Sequence, residues 1–377
     1  MKVKIAYLLG SLNRGGTETL LLDVFRNAKE NHLNAIGIYR KSGALETDFL
    51  GSGITMLNLP TGRNTVSYIL KLRRLLLKND IQVVHAQQPI DAFYARLASF
   101  GTRIKVVLTF HGYDFNESKL GTAILKQAIN HSDANVFVSD TQRQYYVEKY
   151  RLKVENQHVI YNGISFDKLD CIPEISADQV DIKLRDELQL NPNTLLLGTV
   201  GNFVPGRDQF SLCRFVKLLD EQKVDFHFVF VGKKSEANPR LYDDCYNFCK
   251  ANNLLTKISF LGSRNDVPSI LKQLDAFFFS TDHDTFGIAV VEAMAAAIPV
   301  FVNDWEVMNE ITSSGKYATV YKTKDEAGLL REFMLFLQNK KNYESKATEA
   351  ARFSRDCYSI EKHIEKLKNL YTSLLIF

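Results

Sequence analysis

Short apolar runs of strand length alternate with helical patterns along all 377 residues, and that rhythm occurs twice. Val3–Leu9, Ala35–Tyr39, Val83–His85, Val106–Phe110, Ala134–Val138 and Val159–Tyr161 mark the strands of the first half. Leu195–Val200, Phe226–Val231, Ile258–Leu261, Ala276–Phe279 and Val300–Val302 mark those of the second. Helical patterns such as Thr17–Lys29, Val66–Lys78, Phe210–Gln222 and Leu241–Ala251 fill the gaps. Strands that are apolar on both faces and alternate with helices belong in parallel sheets covered on both sides. The chain is therefore expected to be α/β, with two Rossmann-like doubly wound parallel-sheet domains. Ligands of such sheets bind beyond the carboxyl ends of the strands, so two of them facing one another would hold a ligand in a central cleft.

The rhythm lapses between Gly163 and Asn193, an acidic stretch with Pro173 and no clear period. Residues 1–165 are read as the first domain and 166–360 as the second. The amphipathic segment Ile360–Leu375 has no strand after it, so 361–377 is read as a helix that packs outside the second sheet or returns across the first. Two domains also suit the length.

Charge is uneven. Residues 1–165 hold 21 Lys and Arg against 13 Asp and Glu, a net +8, leaving −4 for the remainder. A basic first half fits an anionic partner or an anionic membrane surface. No apolar run reaches the roughly 18 residues of a transmembrane helix, and the stretch Ile5–Leu9 is too short for the core of a signal peptide. Five cysteines in a chain this long point to a reducing compartment. Cys245 and Cys249, four apart on a helix, lack the second pair or the histidines a zinc site needs and are read as core thiols.

The segment Ser280–Val300, S-T-D-H-D-T-F-G-I-A-V-V-E-A-M-A-A-A-I-P-V, carries the most chemistry. It follows the strand Ala276–Phe279 and changes after Gly287 to a composition that suits a buried helix. A helix that opens from a strand end offers free N–H groups and a positive dipole end to an anion. Asp284 and Glu292 bracket the switch and can accept hydrogen bonds from sugar hydroxyls. The combination fits a ligand that is part phosphate and part polyol. In the first half, Gly10–Glu18 joins a strand to a helix through glycines; its spacing is not G-x-G-x-x-G, so the dinucleotide fingerprint is absent.

In order along the chain stand G-G-T-E (15–18), V-V-H-A (83–86), F-H-G-Y-D (110–114), Y-N-G-I (161–164), V-G-N-F-V-P-G-R-D (200–208), F-V-G-K (230–233) and F-L-G-S-R-N-D-V (260–267), followed by the Ser280–Val300 segment. This ordered set resembles the retaining GT-B glycosyltransferases of family 4, the group 1 glycosyl transferases, over nearly the whole chain. The Asp284/Glu292 pair resembles the family's E-x7-E signature, with Asp in the first position. The resemblance implies that Glu292 accepts from the donor ribose and Asp284 from the transferred sugar. Phe286, Gly287 and Ile288 would offer backbone N–H groups to the sugar or diphosphate. Gly16 would face the diphosphate from the first domain, and His111 would lie near the anomeric centre. Arg207 stands where the family has a cation for the departing diphosphate; a fixed cation there stabilises the transition state, and Arg serves phosphate as well as Lys does. Arg264 would lie near the base or the diphosphate. Where relatives carry a second cation this chain has Asn202, for which Lys233 or Arg264 is the compensating candidate.

The implied activity is transfer of a hexose-type sugar, with retention, from a nucleotide diphosphate sugar (a UDP-sugar as the first choice) to a lipid-linked or surface-polysaccharide acceptor. The implied setting is the cytoplasm, at the inner face of the membrane. No metal and no cofactor is expected, and no nucleic acid partner. A nucleotide-sugar epimerase and a non-catalytic GT-B binding subunit are the alternatives. His85 reads as a residue that orders a loop and His283 as a turn residue. The cluster Lys71, Arg73, Arg74 and Lys78 reads as a solvated helix face, opposite a core stripe of Tyr68, Ile69, Leu72 and Leu76; contact with an anionic membrane is its minority reading.

Overall fold

A computed structural model of the chain describes residues 3–114, 118–170 and 184–376. The chain forms two compact units, one built from 1–165 with 358–377 and the other from 166–357. The first holds seven strands: β1 Lys4–Leu9, β2 Asn34–Tyr39, β3 Thr55–Asn58, β4 Val83–Ala86, β5 Lys105–Phe110, β6 Ala134–Phe137 and β7 Gln157–Val159. They pair in the order β3-β2-β1-β4-β5-β6-β7, every pairing parallel. The second holds β8 Leu195–Val200, β9 Phe226–Val231, β10 Ile258–Gly262, β11 Ala276–Phe279, β12 Val300–Asn303 and β13 Thr319–Tyr321. Their order is β10-β9-β8-β11-β12-β13, again all parallel. In both units the order reverses beside the first strand, between β1 and β4 and between β8 and β11. Such switch points open a crevice at the carboxyl ends of the strands.

Both units thus have the expected doubly wound architecture. Two edge strands, β3 and β13, escaped the sequence reading because their apolar signal is weak. T-M-L-N has only half-buried or exposed residues, and T-V-Y is three residues long. The strand expected at Val159–Tyr161 lies at Gln157–Val159. Ile160, just past the strand, is still buried, in the cluster that the strands share with the C-terminal helix, which extends the apolar signal beyond the paired residues. The acidic stretch 171–183, with Cys171 and Pro173, falls outside the described residues.

Side-chain alternation along β1 explains why the first unit has two cores. Ile5, Tyr7 and Leu9 point to one face and Ala6 and Leu8 to the other. Leu20, Leu21 and Phe25 of the helix Gly16–Arg26 cover the first face. On the other face Tyr68, Leu72 and Leu76 of Thr65–Lys78 are buried, with Ile69 packed beside them. In the second unit Phe215, Phe228, Phe230, Phe278, Phe301 and Phe333 form an aromatic core with the thiols of Cys213, Cys245 and Cys249.

The C-terminal helix Ile360–Ser373 lies in the first unit. Ile360, Ile364, Leu367, Leu370 and Tyr371 form its apolar stripe and join the β1 core. Each such side chain contributes about 1.5–3 kcal/mol by burial. Gly163 makes the close approach possible: a Cβ there would lie 2.6 Å from the His363 Cβ and 2.9 Å from the Ile360 Cα. A parallel bridge between Ile164 and Ser359 secures the junction. Among the described residues no helix is long and apolar enough to cross a membrane.

Candidate active site

At the switch point of the second unit, the loop after β8 meets the loop after β11. An antiparallel bridge joins Arg207 to Thr281. Around it Asp208 N donates to Ser280 O at 3.0 Å and Asp282 N to Gly206 O at 3.1 Å. The Thr281 hydroxyl also donates to Gly206 O, at 2.6 Å. Fully buried Asn303, at the end of β12, receives Thr281 N at 3.0 Å and donates to Thr281 O at 2.7 Å. Asp208 caps the helix Gln209–Glu221 by accepting from Ser211 N. These bonds are made by backbone and by the side chains of Thr281, Asn303 and Asp208, none of which is the Arg207 or Asp284 side chain.

On that frame the Arg207 guanidinium bonds to the Asp284 carboxylate and lies over the Phe279 ring, 4.5 Å from its centroid. A stacked, carboxylate-held guanidinium keeps its remaining donors fixed in direction. Trp305 Nε1 holds the same loop by donating to Asp284 O at 3.3 Å. Phe286 is buried and anchors the turn that follows. Gly287 adopts φ +89°, ψ 59° and begins the helix Ile288–Ala295 without any side-chain cap. The left-handed conformation favours glycine there. The helix's first N–H groups have no acceptor within the helix, and half-buried Ile288 opens it. Glu292 is half-buried among buried Val291, Ala293, Met294 and Ala295.

The side chains of Asn202, Arg264 and Lys233 are engaged differently. The Asn202 side chain is committed to the frame, its Oδ1 accepting from Lys233 N at 3.0 Å. Arg264 is bound by two carboxylates, Glu187 at 2.9 and 3.0 Å and Asp266 at 2.8 and 2.7 Å. These partners raise its pKa further above its ordinary value. Lys233 is exposed, and its ammonium has no ion-pair partner among the described residues.

In the first unit the corresponding edge holds Gly16 and His111. Gly16 is exposed at the start of its helix, whose cap Gly15 also provides no side-chain bond. His111 follows β5, its Nε2 2.8 Å from Gln87 Oε1. Burial, with His363 nearby, lowers its pKa to about 3, so the imidazole is neutral. The loop beyond is anchored on the helix Asp140–Tyr150. Gln142 Nε2 and the Tyr146 hydroxyl donate to Gly112 O at 2.9 and 3.1 Å. Asp114 accepts from Tyr145 at 2.7 Å, Lys149 at 2.8 Å and Tyr150. Burial opposes ionisation of Asp114, but those donors outweigh it and lower its pKa.

His85 does something other than order a loop. It is buried in the sheet, with Nδ1 2.6 Å from the Tyr371 hydroxyl and Nε2 2.6 Å from Thr109 Oγ1. Tyr371 in turn meets the Tyr7 hydroxyl at 2.9 Å. This polar line ties the C-terminal helix to β1, β4 and β5. Sequence reading missed it because Tyr371 is 286 residues away from His85. His283 pairs with Asp282 at 2.8 Å in its turn. Gln87, Asn303 and Asp208 were also missed; only Asp208 left a signal, standing one residue before a helix as caps do.

Two doubly wound parallel-sheet units, one with a carboxylate-held guanidinium in the loop that leads to an uncapped helix start, define a two-domain α/β protein. Residues 14–168 match the family described as Glycosyltransferase Family 4, and residues 180–353 match Glycosyl transferases group 1. The chain is 23% identical over 396 residues to the UDP-Gal:alpha-D-GlcNAc-diphosphoundecaprenol alpha-1,3-galactosyltransferase of Escherichia coli, covering 100% of this chain and 98% of that one. It is 20% identical over 381 residues to the O-antigen biosynthesis glycosyltransferase WclY of Escherichia coli, covering 99% of each. Among solved structures, Anabaena HepE in complex with UDP and glucose superposes with a TM-score of 0.85 at 17% identity, covering 98% of this chain and 100% of that one. The chain belongs to the group 1, family 4 glycosyltransferases and has their GT-B fold.

Proposed function

We propose that the enzyme transfers a hexose, with retention, from a UDP-sugar to a lipid-diphosphate-linked glycan acceptor at the inner face of the cell membrane. The observation that carries the donor half is the Arg207 guanidinium, held by Asp284 and Phe279 beside the uncapped helix at Gly287. The donor diphosphate lies against Arg207, Lys233 and the N–H groups of Phe286, Gly287 and Ile288, with Arg264 and Asn202 framing the site. Glu292 accepts from the ribose diol, and the second oxygen of Asp284 meets the sugar. The bond from the anomeric carbon to the diphosphate breaks, the acceptor oxygen adds from the same face, and its proton leaves on the departing UDP. No metal or cofactor takes part. UDP and a lipid-linked acceptor are favoured by two relatives: HepE was solved with UDP and glucose, and the galactosyltransferase is named for UDP-Gal and a diphosphoundecaprenol-linked sugar.

A thermal-shift screen with UDP-, GDP- and ADP-sugars tests the donor. Saturating UDP-sugar, at ~100 times its dissociation constant, is expected to add about 2.7 kcal/mol. Glu292→Ala is expected to raise the donor KM roughly tenfold to hundredfold, since it removes hydrogen bonds made by a charged group. No shift with any nucleotide sugar would sink the donor site.

Membrane contact is assigned to the helix Thr65–Lys78. Val66, Leu70 and Leu77 on it are 64, 61 and 50% exposed, and Phe100 of the same unit is 80% exposed. Lys71, Arg74 and Lys78 are exposed among them. Each basic residue near an anionic surface contributes about 1 kcal/mol. The protein is expected to sediment with phosphatidylglycerol vesicles and to lose that binding when Leu70 and Phe100 are changed to Ser. Equal binding by the double variant would move the contact elsewhere.

A further inference from the structure

Residues 303–311 follow β12 and lie outside every motif quoted above, yet they meet the loop between β11 and the helix Ile288–Ala295 at three successive points. Asn303 bonds to both main-chain groups of Thr281, at 3.0 and 2.7 Å. Two residues on, half-buried Trp305 donates from Nε1 to Asp284 O at 3.3 Å. The short helix Glu306–Ile311 then runs beneath the helix start: Met308 Cε and Ile311 Cδ1 lie 2.8 and 3.3 Å from where a Cβ on Gly287 would stand. The segment is itself tied to the next loop of the sheet, because Thr323, after β13, donates from its N–H and its hydroxyl to Asp304 Oδ1 at 2.8 and 2.6 Å.

Asp284 is therefore held at two places. Its carboxylate bonds to Arg207 and its carbonyl oxygen accepts from Trp305. The Phe279 ring, part of β11, sets how far the guanidinium stands from the strand. A ring contact does not choose the direction in which the fork of donors points, whereas a carboxylate does. An aspartate has only two side-chain torsions, so a shift of its main chain passes to the guanidinium with little slack. A displacement of about 1 Å at a distance from the chemistry is enough to cost rate.

We infer that Trp305 is a positioning residue for Arg207, acting through the main chain of Asp284; this rests on the reading of Arg207 as the cation for the departing diphosphate given above. The indole N–H fixes the Asp284 carbonyl, the carboxylate fixes the guanidinium, and the guanidinium meets charge that develops only as the glycosidic bond breaks. The effect of Trp305 accordingly falls on kcat rather than on donor binding. If the bond did no more than satisfy the indole N–H, its removal would lower the melting temperature and leave kcat alone.

Trp305→Phe keeps an aromatic ring and removes the N–H. It is expected to lower kcat roughly threefold to tenfold, the scale of one neutral hydrogen bond, with the UDP-sugar KM and the melting temperature close to wild type. Benzothienylalanine at the same position keeps the shape of indole without its N–H, and carries the same expectation if Trp305→Phe does not fold. In the Arg207→Ala background Trp305→Phe is expected to add no further loss, because residues that act through one another are not additive. A wild-type kcat for Trp305→Phe, or the same fold loss in both backgrounds, overturns the inference. If the wild type turns over no nucleotide sugar, the donor reading fails, and the ligand-free protein decides the coupling. Trp305 is the single tryptophan of the chain, so its emission reports on this contact alone. Arg207→Ala releases the Asp284 carboxylate and is expected to move that emission to longer wavelength and to make it more readily quenched by acrylamide. Unchanged emission and quenching refute the coupling.

Discussion

Arg207→Ala is expected to lower kcat by about 10²–10³-fold, the scale seen when a preorganised donor to a developing anion is removed. Negative charge collects on the diphosphate as the glycosidic bond breaks, and the guanidinium is fixed before that happens by Asp284 and the Phe279 ring. No reorganisation is then needed at the moment of reaction. The fold should survive the change, because the loop is held by backbone bonds from Asp208, Asp282 and Arg207 itself rather than by the side chain. The melting temperature is therefore expected to stay close to the wild-type value. Arg207→Lys keeps the charge but loses the planar stack and the fork, and should fall between the two. Steady-state kcat with a saturating donor checks the series. An alanine variant with wild-type kcat would remove Arg207 from the leaving-group role.

Acid is expected to destabilise the first unit steeply. His85 and His363 are 2% and 7% exposed, and His111 faces both electrostatically. Burial lowers the pKa of all three, to about 3 for His111, about 4 for His363 and well below the ordinary value for His85. The folded unit keeps them neutral, whereas the unfolded chain takes up protons below about 6.5. Their contribution is therefore complete above that pH and is lost as pH falls towards about 4. Each buried histidine costs about 1.4 kcal/mol per pH unit in that window. Two of them acting together would remove several kcal/mol, a large part of the ~5–15 kcal/mol a domain has. His363 Nδ1 lies 2.7 Å from Tyr161 O, and His85 meets Tyr371, so both sit at the junction of the C-terminal helix with the rest of the unit. Thermal melts at about pH 7 and about pH 5 should show the drop, with 360–373 becoming the first segment open to protease. A flat profile between those values would refute it.

Much of the fold was legible because its signals are local. A run such as Phe226–Val231 is apolar at every position because the strand is covered on both faces, and the observed β9 has the expected bounds. The helix after Gly287 was legible for a similar reason, since composition changes at the residue that adopts a positive φ. Edge strands fail this test: β3 is covered on too little of its surface to need an apolar sequence.

The site divides along the same line. Sequence alone determined the family and the two-sheet plan. It also put Arg207, Asp284, Gly287 and Glu292 forward as one group, since strand ends and helix starts are written in short motifs. Only the tertiary structure decided which charges are paired. Arg207 and Asp284 are 77 residues apart, as are Arg264 and Glu187; Arg40, after β2, and Asp91, on the helix Pro89–Ala98, belong to separate segments too. Whether a cation is free for a ligand depends on distances between segments that motif spacing does not encode. Lys233 therefore looked equivalent to Arg264 in sequence, and folding left Lys233 exposed while tying Arg264 to two carboxylates.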